Sequence, residues 1–429
     1  MTCFVSRFSQ TAKFSAIAIL SLATLLLLWL ISPVLSEASS NEKVFNEVWQ
    51  TINDNFYDKA FNGIDWIAMR DKYKPQVAQV KTHQELADVV NQMLAELKAS
   101  HTHFYTPDET AYYQLLGIFQ PDIKDLPPAA KALFPDQKYE YTGIGIFTQT
   151  RHDKTFISAI LDGSPAAIAG LMVGDELLSV DGKPYQPIAS FADKAGQSVT
   201  LSIQRSPDIS SQEAINVTPR KFDATTLFLE AQKASTQVIE HQGKRIGYIH
   251  IWSNAADFHQ QYLMEELMFG KLADVDGLVL DIRYGWGGGS IAYLNFFTGE
   301  SPAITSIRRD GRSSVNNNHW QKPVVWLINE GSRSSKEIIA FSVQQAKIGP
   351  LVGATTTGAV LAGRGFVMQD GSLLYVAVAD VLIDGKQRLE GKGVAPDIPV
   401  AFPLEYAKGV DPQKQQAIAT LMAAIDKRK

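Results

Sequence analysis

The stretch that most constrains the fold runs from Val324 to Ala346. Val324-Val325-Trp326-Leu327-Ile328 is an unbroken apolar run, the pattern of a buried strand. It is followed at once by Asn329-Glu330-Gly331-Ser332-Arg333-Ser334-Ser335-Lys336-Glu337, and then by an apolar-periodic stretch, Ile338 to Ala346, that predicts a helix. A strand that turns tightly into a helix leaves serine hydroxyls beside backbone N–H groups that have no partner inside the helix. The helix dipole adds positive potential there. Such a setting favours negative charge on or beside a serine oxygen, as acyl transfer requires. An ordinary serine N-cap fits the same residues, so the local pattern leaves both readings open.

The chain has 429 residues, enough for two or three domains, and its 45% apolar and 20% charged content is that of a globular protein. A formal net charge of -5 with no basic cluster argues against a nucleic-acid partner. Phe14 to Ser36 carries no charge, with Arg7 and Lys13 before it and Glu37 after it. That is the pattern of an export signal, and the run is also long enough to span a bilayer. The expectation is a chain on the periplasmic or extracellular face, with residues 14–36 either removed near Leu35–Ser39 or kept as a membrane tether. The single cysteine, Cys3, precedes the apolar run, so the exported part has no disulfide and no thiol chemistry.

After residues 1–40, the export signal or anchor, residues 41–120 read as a helical domain. Val44, Val48, Ile52 and Phe56 recur at helical spacing, as do Leu86, Val89, Val90, Met93, Leu94 and Leu97. Pro121 to Pro135 reads as a linker. Residues 138–222 change to short strands separated by glycine turns, a small β-rich unit. Residues 223–429 alternate strand and helix patterns, which predicts an α/β core with a largely parallel sheet. Gly247 to Ile251 and Gly277 to Arg283 are its strand candidates, and Asp257 to Phe269 a helix.

Three further segments carry candidate chemistry. Asp281-Ile282-Arg283-Tyr284-Gly285-Trp286-Gly287-Gly288-Gly289-Ser290 ends a buried strand in a glycine cluster, at the end of the sheet where α/β folds bind ligands. A glycine loop there can aim an N–H at an oxyanion, or be a flexible turn. Leu97-Lys98-Ala99-Ser100-His101-Thr102-His103-Phe104 sets a hydroxyl beside an imidazole, the usual base for a serine nucleophile. A structural histidine and a metal pair at His101 and His103 are the alternatives, the latter without an HExxH motif or cysteine ligands to support it. Leu389-Glu390-Gly391-Lys392-Gly393-Val394-Ala395-Pro396-Asp397-Ile398 is a loop whose Glu390 either orients a base or is a solvated surface carboxylate.

The segment Gly163-Ser164-Pro165-Ala166…Ala169-Gly170-Leu171…Gly174-Asp175…Leu178-Ser179-Val180-Asp181-Gly182 resembles a PDZ domain. With that insertion, the four segments in this order resemble the tail-specific, or C-terminal processing, serine peptidases over nearly all of the exported chain. The resemblance implies cleavage of peptides or proteins near accessible C-termini, without a metal or organic cofactor. One branch of that family uses a Ser/Lys dyad, and Ala359 stands where its lysine would be. The other branch resembles the tricorn core and uses a Ser-His-Ser-Glu tetrad. Matched to it, Ser334 is the nucleophile, three residues before Glu337; His101 is the base; Ser100 and Glu390 orient the ring.

That resemblance further implies an oxyanion site between the N–H of Ser335 and that of Gly288, with Gly287 the rival. Gly143-Ile144-Gly145-Ile146 would offer N–H groups to a peptide carboxylate, and the following strand edge would accept the peptide as an added strand. The chain departs from the family at Arg333 and Lys336, which are expected to crowd the nucleophile turn, and at Tyr284-Gly285-Trp286, where an asparagine is usual. Those departures keep a second reading open, an inactive peptide-binding protein of the same fold, and a third, an esterase acting on small substrates.

Overall fold

The computed structural model describes residues 40–428 except 121, 122, 124, 125, 300–302 and 318. The expected export signal or anchor at 14–36 therefore lies outside the described residues. Among the described residues, no helix is long and apolar enough to cross a membrane.

A six-stranded sheet organises the C-terminal half. Its order is Ile398–Pro399, Leu351–Gly353, Val324–Ile328, Gly277–Asp281, Lys244–His250 and Gln237–His241. Every neighbouring pair is parallel except the last, which is antiparallel. The unbroken apolar runs follow from burial on both faces. Because side chains alternate along a strand, Leu278, Leu280, Val324, Trp326 and Ile328 pack with Leu263, Ile339 and Val343 from the helices Asp257–Met268 and Ser335–Gln345. Val279, Val325 and Leu327 face the opposite way, onto Ala417, Leu421 and Ile425 of the C-terminal helix Pro412–Asp426. Each such fully buried aliphatic side chain contributes about 1.5–3 kcal/mol relative to exposure.

The PDZ-like segment forms a five-stranded antiparallel sheet in the order Ile146–Arg151, Lys154–Ile160, Glu176–Val180, Val199–Gln204, Gln212–Val217. Ile146–Arg151 lies at its edge. The expected Asp-Gly turn is present: Asp181 and Gly182 have φ of 48° and 75°, and Val180 bridges Lys183.

The N-terminal helices form as read, over 40–55, Trp66–Val77 and His83–Ala95. Thr82 caps the last of these by accepting the Glu85 N–H. Beyond these helices the chain is tied to the core. The strand His103–Tyr105 pairs antiparallel with Leu373–Ala379, which also pairs Ala362–Val367. The helix Thr110–Phe119 packs its Tyr112, Leu115 and Leu116 in one cluster with Trp252 and Trp286. The expected linker is in part structured: Pro128–Leu133 is a short helix with proline in its first turn, and Ala130 and Phe134 are buried. Their apolar surface packs beside Tyr112 and Tyr139, which a free linker would leave in water.

The Asp281 carboxylate at the strand end is fully buried and held by Arg283, which also reaches Asp411 at 2.7 Å and Gln413 at 3.0 Å. Arg283 keeps the Asp281 carboxyl well below the usual carboxylate range, against the opposing effect of burial. This network fixes the start of the C-terminal helix against the sheet. Arg283→Ala should cost about 3–5 kcal/mol by leaving a buried charge unpaired, read as a lower urea midpoint at unchanged m-value.

Candidate functional site

The three serines of the turn have different fates. The Ser332 hydroxyl is fully buried, accepts the Asn329 N–H and donates to the Ile282 carbonyl at 3.0 Å. The Ser335 hydroxyl donates to the Gly288 carbonyl at 2.7 Å. Ser334 alone adopts a strained backbone, φ 59° and ψ −130°, at the mouth of the helix Ser335–Gln345. Such a conformation in a residue other than glycine costs on the order of 1–3 kcal/mol and persists where the surroundings hold it.

Those surroundings centre on Glu337. Its carboxylate accepts from Thr356 Oγ1 at 2.6 Å and from the N–H groups of Gly358 at 2.6 Å, Ala359 at 2.7 Å and Ser334 at 3.3 Å. Burial pushes the Glu337 carboxyl up, and these donors oppose it. The Ser334 N–H also donates to the Ala359 carbonyl at 2.8 Å. Position 359 thus lies beside Ser334, and its methyl side chain has no proton acceptor.

His101 arrives from the other end of the chain and also sits at positive φ, 56°. Glu390 accepts from the Ser100 N–H at 2.9 Å and from Ser100 Oγ at 2.8 Å. A carboxylate only accepts, so the single Ser100 hydroxyl proton goes to Glu390. Ser100 Oγ lies 2.8 Å from His101 Nδ1 and must accept there, which puts the ring proton on Nδ1 and leaves Nε2 with a free lone pair. Burial first, and then the Arg333 charge, push the imidazole down to about 3, so the ring is neutral.

Both groups line one cavity of about 280 Å³, with Arg333, Ser335, Gly287, Gly288, Gly289 and the apolar side chains of Leu115, Ile118, Phe119, Ile338, Val360, Leu361 and Tyr375. Among the described residues, no direct hydrogen bond joins Ser334 to the ring. Gly287 passes so close to the turn that an added Cβ would lie 2.6 Å from Ser334 Cβ and 2.7 Å from the Ser335 nitrogen. Asn254, fully buried, holds the same loop by donating to the carbonyls of Gly288 at 2.9 Å and Ser290 at 3.0 Å.

Lys336 does not crowd the turn as its position suggested. Its side chain is fully buried and donates to the carbonyls of Tyr284 and Trp252, clamping the helix start to the glycine loop. Burial pushes its ammonium down to about 7 against the pull of Asp281. Asn254 and the clamp at Lys336 went unread because neither has a local pattern; Glu337 had one, and served only to fix the register of Ser334. His103 stays apart from the Ser100–Glu390 network, its Nε2 3.9 Å from Glu109. In the PDZ-like unit, Gly143 is paired with Arg220, Ile144 is buried, and Gly145 has φ 80°.

A strained serine, a neutral imidazole and a glycine loop on one cavity wall have the chemistry that serine hydrolysis requires. Comparison with known proteins gives the same class. Residues 245–400 match the model of peptidase family S41, residues 38–95 that of the tricorn protease C1 domain, and residues 156–205 that of a PDZ domain. Residues 245–400 are thus similar to peptidase family S41, and the chain is a serine peptidase. It is 24% identical over 432 residues to the carboxyl-terminal-processing protease of Synechocystis sp. (strain ATCC 27184 / PCC 6803 / Kazusa), covering 97% of this chain and 95% of that one. It is 25% identical to tricorn protease homolog 1 of Streptomyces coelicolor, covering 91% of this chain but 36% of that longer protein. Among solved structures, the fold is shared with the photosystem II D1 C-terminal processing protease at TM-score 0.50, 20% identity and coverage of 88% of this chain and 96% of the other. It is shared with the tricorn protease at TM-score 0.52, 20% identity and coverage of 91% and 37%.

Gly287→Ala should lower kcat/KM by about 10²-fold or more by displacing the Ser335 N–H from the site. Peptide cleavage assays, with circular dichroism to confirm the fold, check this.

Proposed function

We propose that this chain is a C-terminal processing endopeptidase that forms an acyl-enzyme on Ser334 with His101 as base. The observation that carries the reading is the chain from Glu390 through Ser100 to His101 Nδ1, which leaves Nε2 as acceptor in the cavity that Ser334 lines. Nε2 takes the Ser334 proton as Oγ attacks a peptide carbonyl, and the imidazolium then protonates the leaving amine. Ser100 and Glu390 stabilise the cationic ring. The N–H groups of Ser335 and Gly288 receive the oxyanion, and water resolves the acyl-enzyme.

Residues 41–120, 138–222 and 223–429 form the helical, PDZ-like and peptidase units of this reading. The PDZ-like unit engages substrate. Among the described residues, its strand Ile146–Arg151 pairs on one side only, with Lys154–Ile160, which leaves the outer edge for an added peptide strand. Gly143, Ile144, Gly145 and Ile146 lead into that edge. Phe147 on the strand stacks on Trp252 of the core with ring centres 5.8 Å apart, a route from peptide docking to the cleft. The uncharged run at 14–36 supports export and action on exported substrates, with a membrane tether if the run is retained.

A second reading, a peptide-docking protein without chemistry, is favoured by the missing Ser334–His101 hydrogen bond, although such bonds commonly form only once substrate is bound. A serine-directed fluorophosphonate separates the two. Wild type should be labelled and Ser334→Ala should not, whereas an unlabelled wild type that still binds C-terminal peptides would establish the docking reading. Ser100→Ala should label about 10²-fold more slowly, because the ring loses the acceptor that fixes its tautomer.

The acid limb of kcat/KM should lie below the free-imidazole value near 6.5, since the ring of the free enzyme is held neutral as pH falls. Arg333→Gln removes one cause of that depression, so its limb should move toward higher pH. Initial rates between about pH 2 and pH 8 report both.

A further inference from the structure

We propose that Arg333 forms a carboxylate subsite beside the nucleophile, so that the preferred peptides carry a carboxylate next to the bond attacked. This rests on the peptidase reading above and adds a substrate class to it. Among the described residues lining the cavity, Arg333 is the one with a permanent charge. The rest of the wall is apolar side chains, glycine backbone, two serine hydroxyls, Tyr375 and a neutral imidazole. The guanidinium lies over the Trp286 ring, 4.9 Å from its centre. That ring is fixed in turn by its Nε1 donating to Gln114 at 2.8 Å. Trp286 and Gln114 are both buried, so the stack holds the guanidinium in place rather than letting it swing into solvent.

Among the described residues, no carboxylate forms an ion pair with Arg333. Two acids of neighbouring segments are engaged elsewhere: Glu109 lies toward His103, and Glu390 binds Ser100 and the Val360 and Leu361 N–H groups. Tyr105 hydrogen-bonds with Arg333, but burial pushes its phenol up, so this partner is a neutral hydroxyl and supplies no anion. A guanidinium held half-buried beside apolar surface, with several N–H donors and no anion, is incomplete. Its fork geometry matches a carboxylate with two parallel hydrogen bonds. Because Arg333 immediately precedes Ser334, an anion docked on it lies within a residue or two of the scissile carbonyl. Docking also cancels the positive charge that weakens His101 as a base, so the matching substrate raises the basicity of the group that must deprotonate Ser334.

The carboxylate has two sources, an acidic side chain or the free C-terminus of the peptide. Binding to full-length Ser334→Ala protein tests the subsite without requiring catalysis. The probes are a fluorescein-labelled apolar peptide with a free C-terminus, the same peptide as its C-terminal amide, and amides carrying one glutamate or glutamine at each position in turn. The proposal expects at least one carboxylate form to bind about tenfold tighter than its uncharged counterpart. The preference should vanish in Ser334→Ala/Arg333→Gln and persist in part in Ser334→Ala/Arg333→Lys. Preference for the free acid over the amide assigns the C-terminus; preference for glutamate over glutamine assigns a side chain. Equal affinity for all charged and uncharged pairs, or a preference that survives Arg333→Gln in protein of unchanged melting temperature, overturns it. If Arg333→Gln fails to fold, the decision passes to Arg333→Lys and salt: a preference unaffected by both overturns the proposal, and one weakened by both supports it. Fluorophosphonate labelling of wild type reports on the nucleophile independently, so failure of the peptidase reading is seen apart from failure of the subsite.

Discussion

One carboxylate joins segments far apart in the chain. Glu390 accepts from the backbone and side chain of Ser100 and from the N–H groups of Val360 and Leu361, the latter at 2.7 and 3.2 Å. Ser100 and Glu390 are 290 residues apart in sequence, and neither segment alone defines an imidazole tautomer. Four donors around one carboxylate make up for the water it loses. The same atoms hold the loop that carries Ala359 against Ser334. The position of His101, its protonation and the shape of the cavity wall thus depend on one acceptor.

A second carboxylate, Glu337, has the corresponding role around Ser334. Its four donors come from the turn and from the segment 356–359, so the strained Ser334 backbone is over-determined from two directions. Lys336 closes the third side by tying the helix start to Tyr284 and Trp252. An ammonium in that environment is costly, and the carbonyls and the nearby Asp281 offset the cost. Rigid support of this kind lets a catalytic geometry sit on a loop without that loop wandering.

Much of the fold was legible because its signals are local and periodic. Apolar runs marked Gly277–Asp281 and Val324–Ile328 as buried strands, and the Asp181-Gly182 turn marked its hairpin. The choice of Ser334 among three serines rested on its spacing from Glu337, and the other two hydroxyls are spent on backbone carbonyls. Less legible were residues whose role depends on what faces them. Lys336 was expected to crowd the turn, because charge and position in sequence say nothing about burial or direction. Asn254 belongs to no motif, and its importance lies in two carbonyls more than thirty residues away. The stretch after Pro121 looked like a linker because its composition is polar, yet Ala130 and Phe134 find apolar partners in Tyr112 and Tyr139.

By itself, the sequence determined the order of units, the strand-turn-helix that exposes Ser334, and the absence of an amine at position 359. These depend on side-chain period, glycine and proline chemistry and residue identity, which act over a few neighbours. Tertiary structure alone decided which nitrogen of His101 carries its proton, that Lys336 is a buried clamp, and that Arg333 is, among the described residues, the one permanent charge along the cavity wall. Those properties arise from desolvation and from hydrogen bonds between segments remote in the chain, and neither exists until the chain has folded.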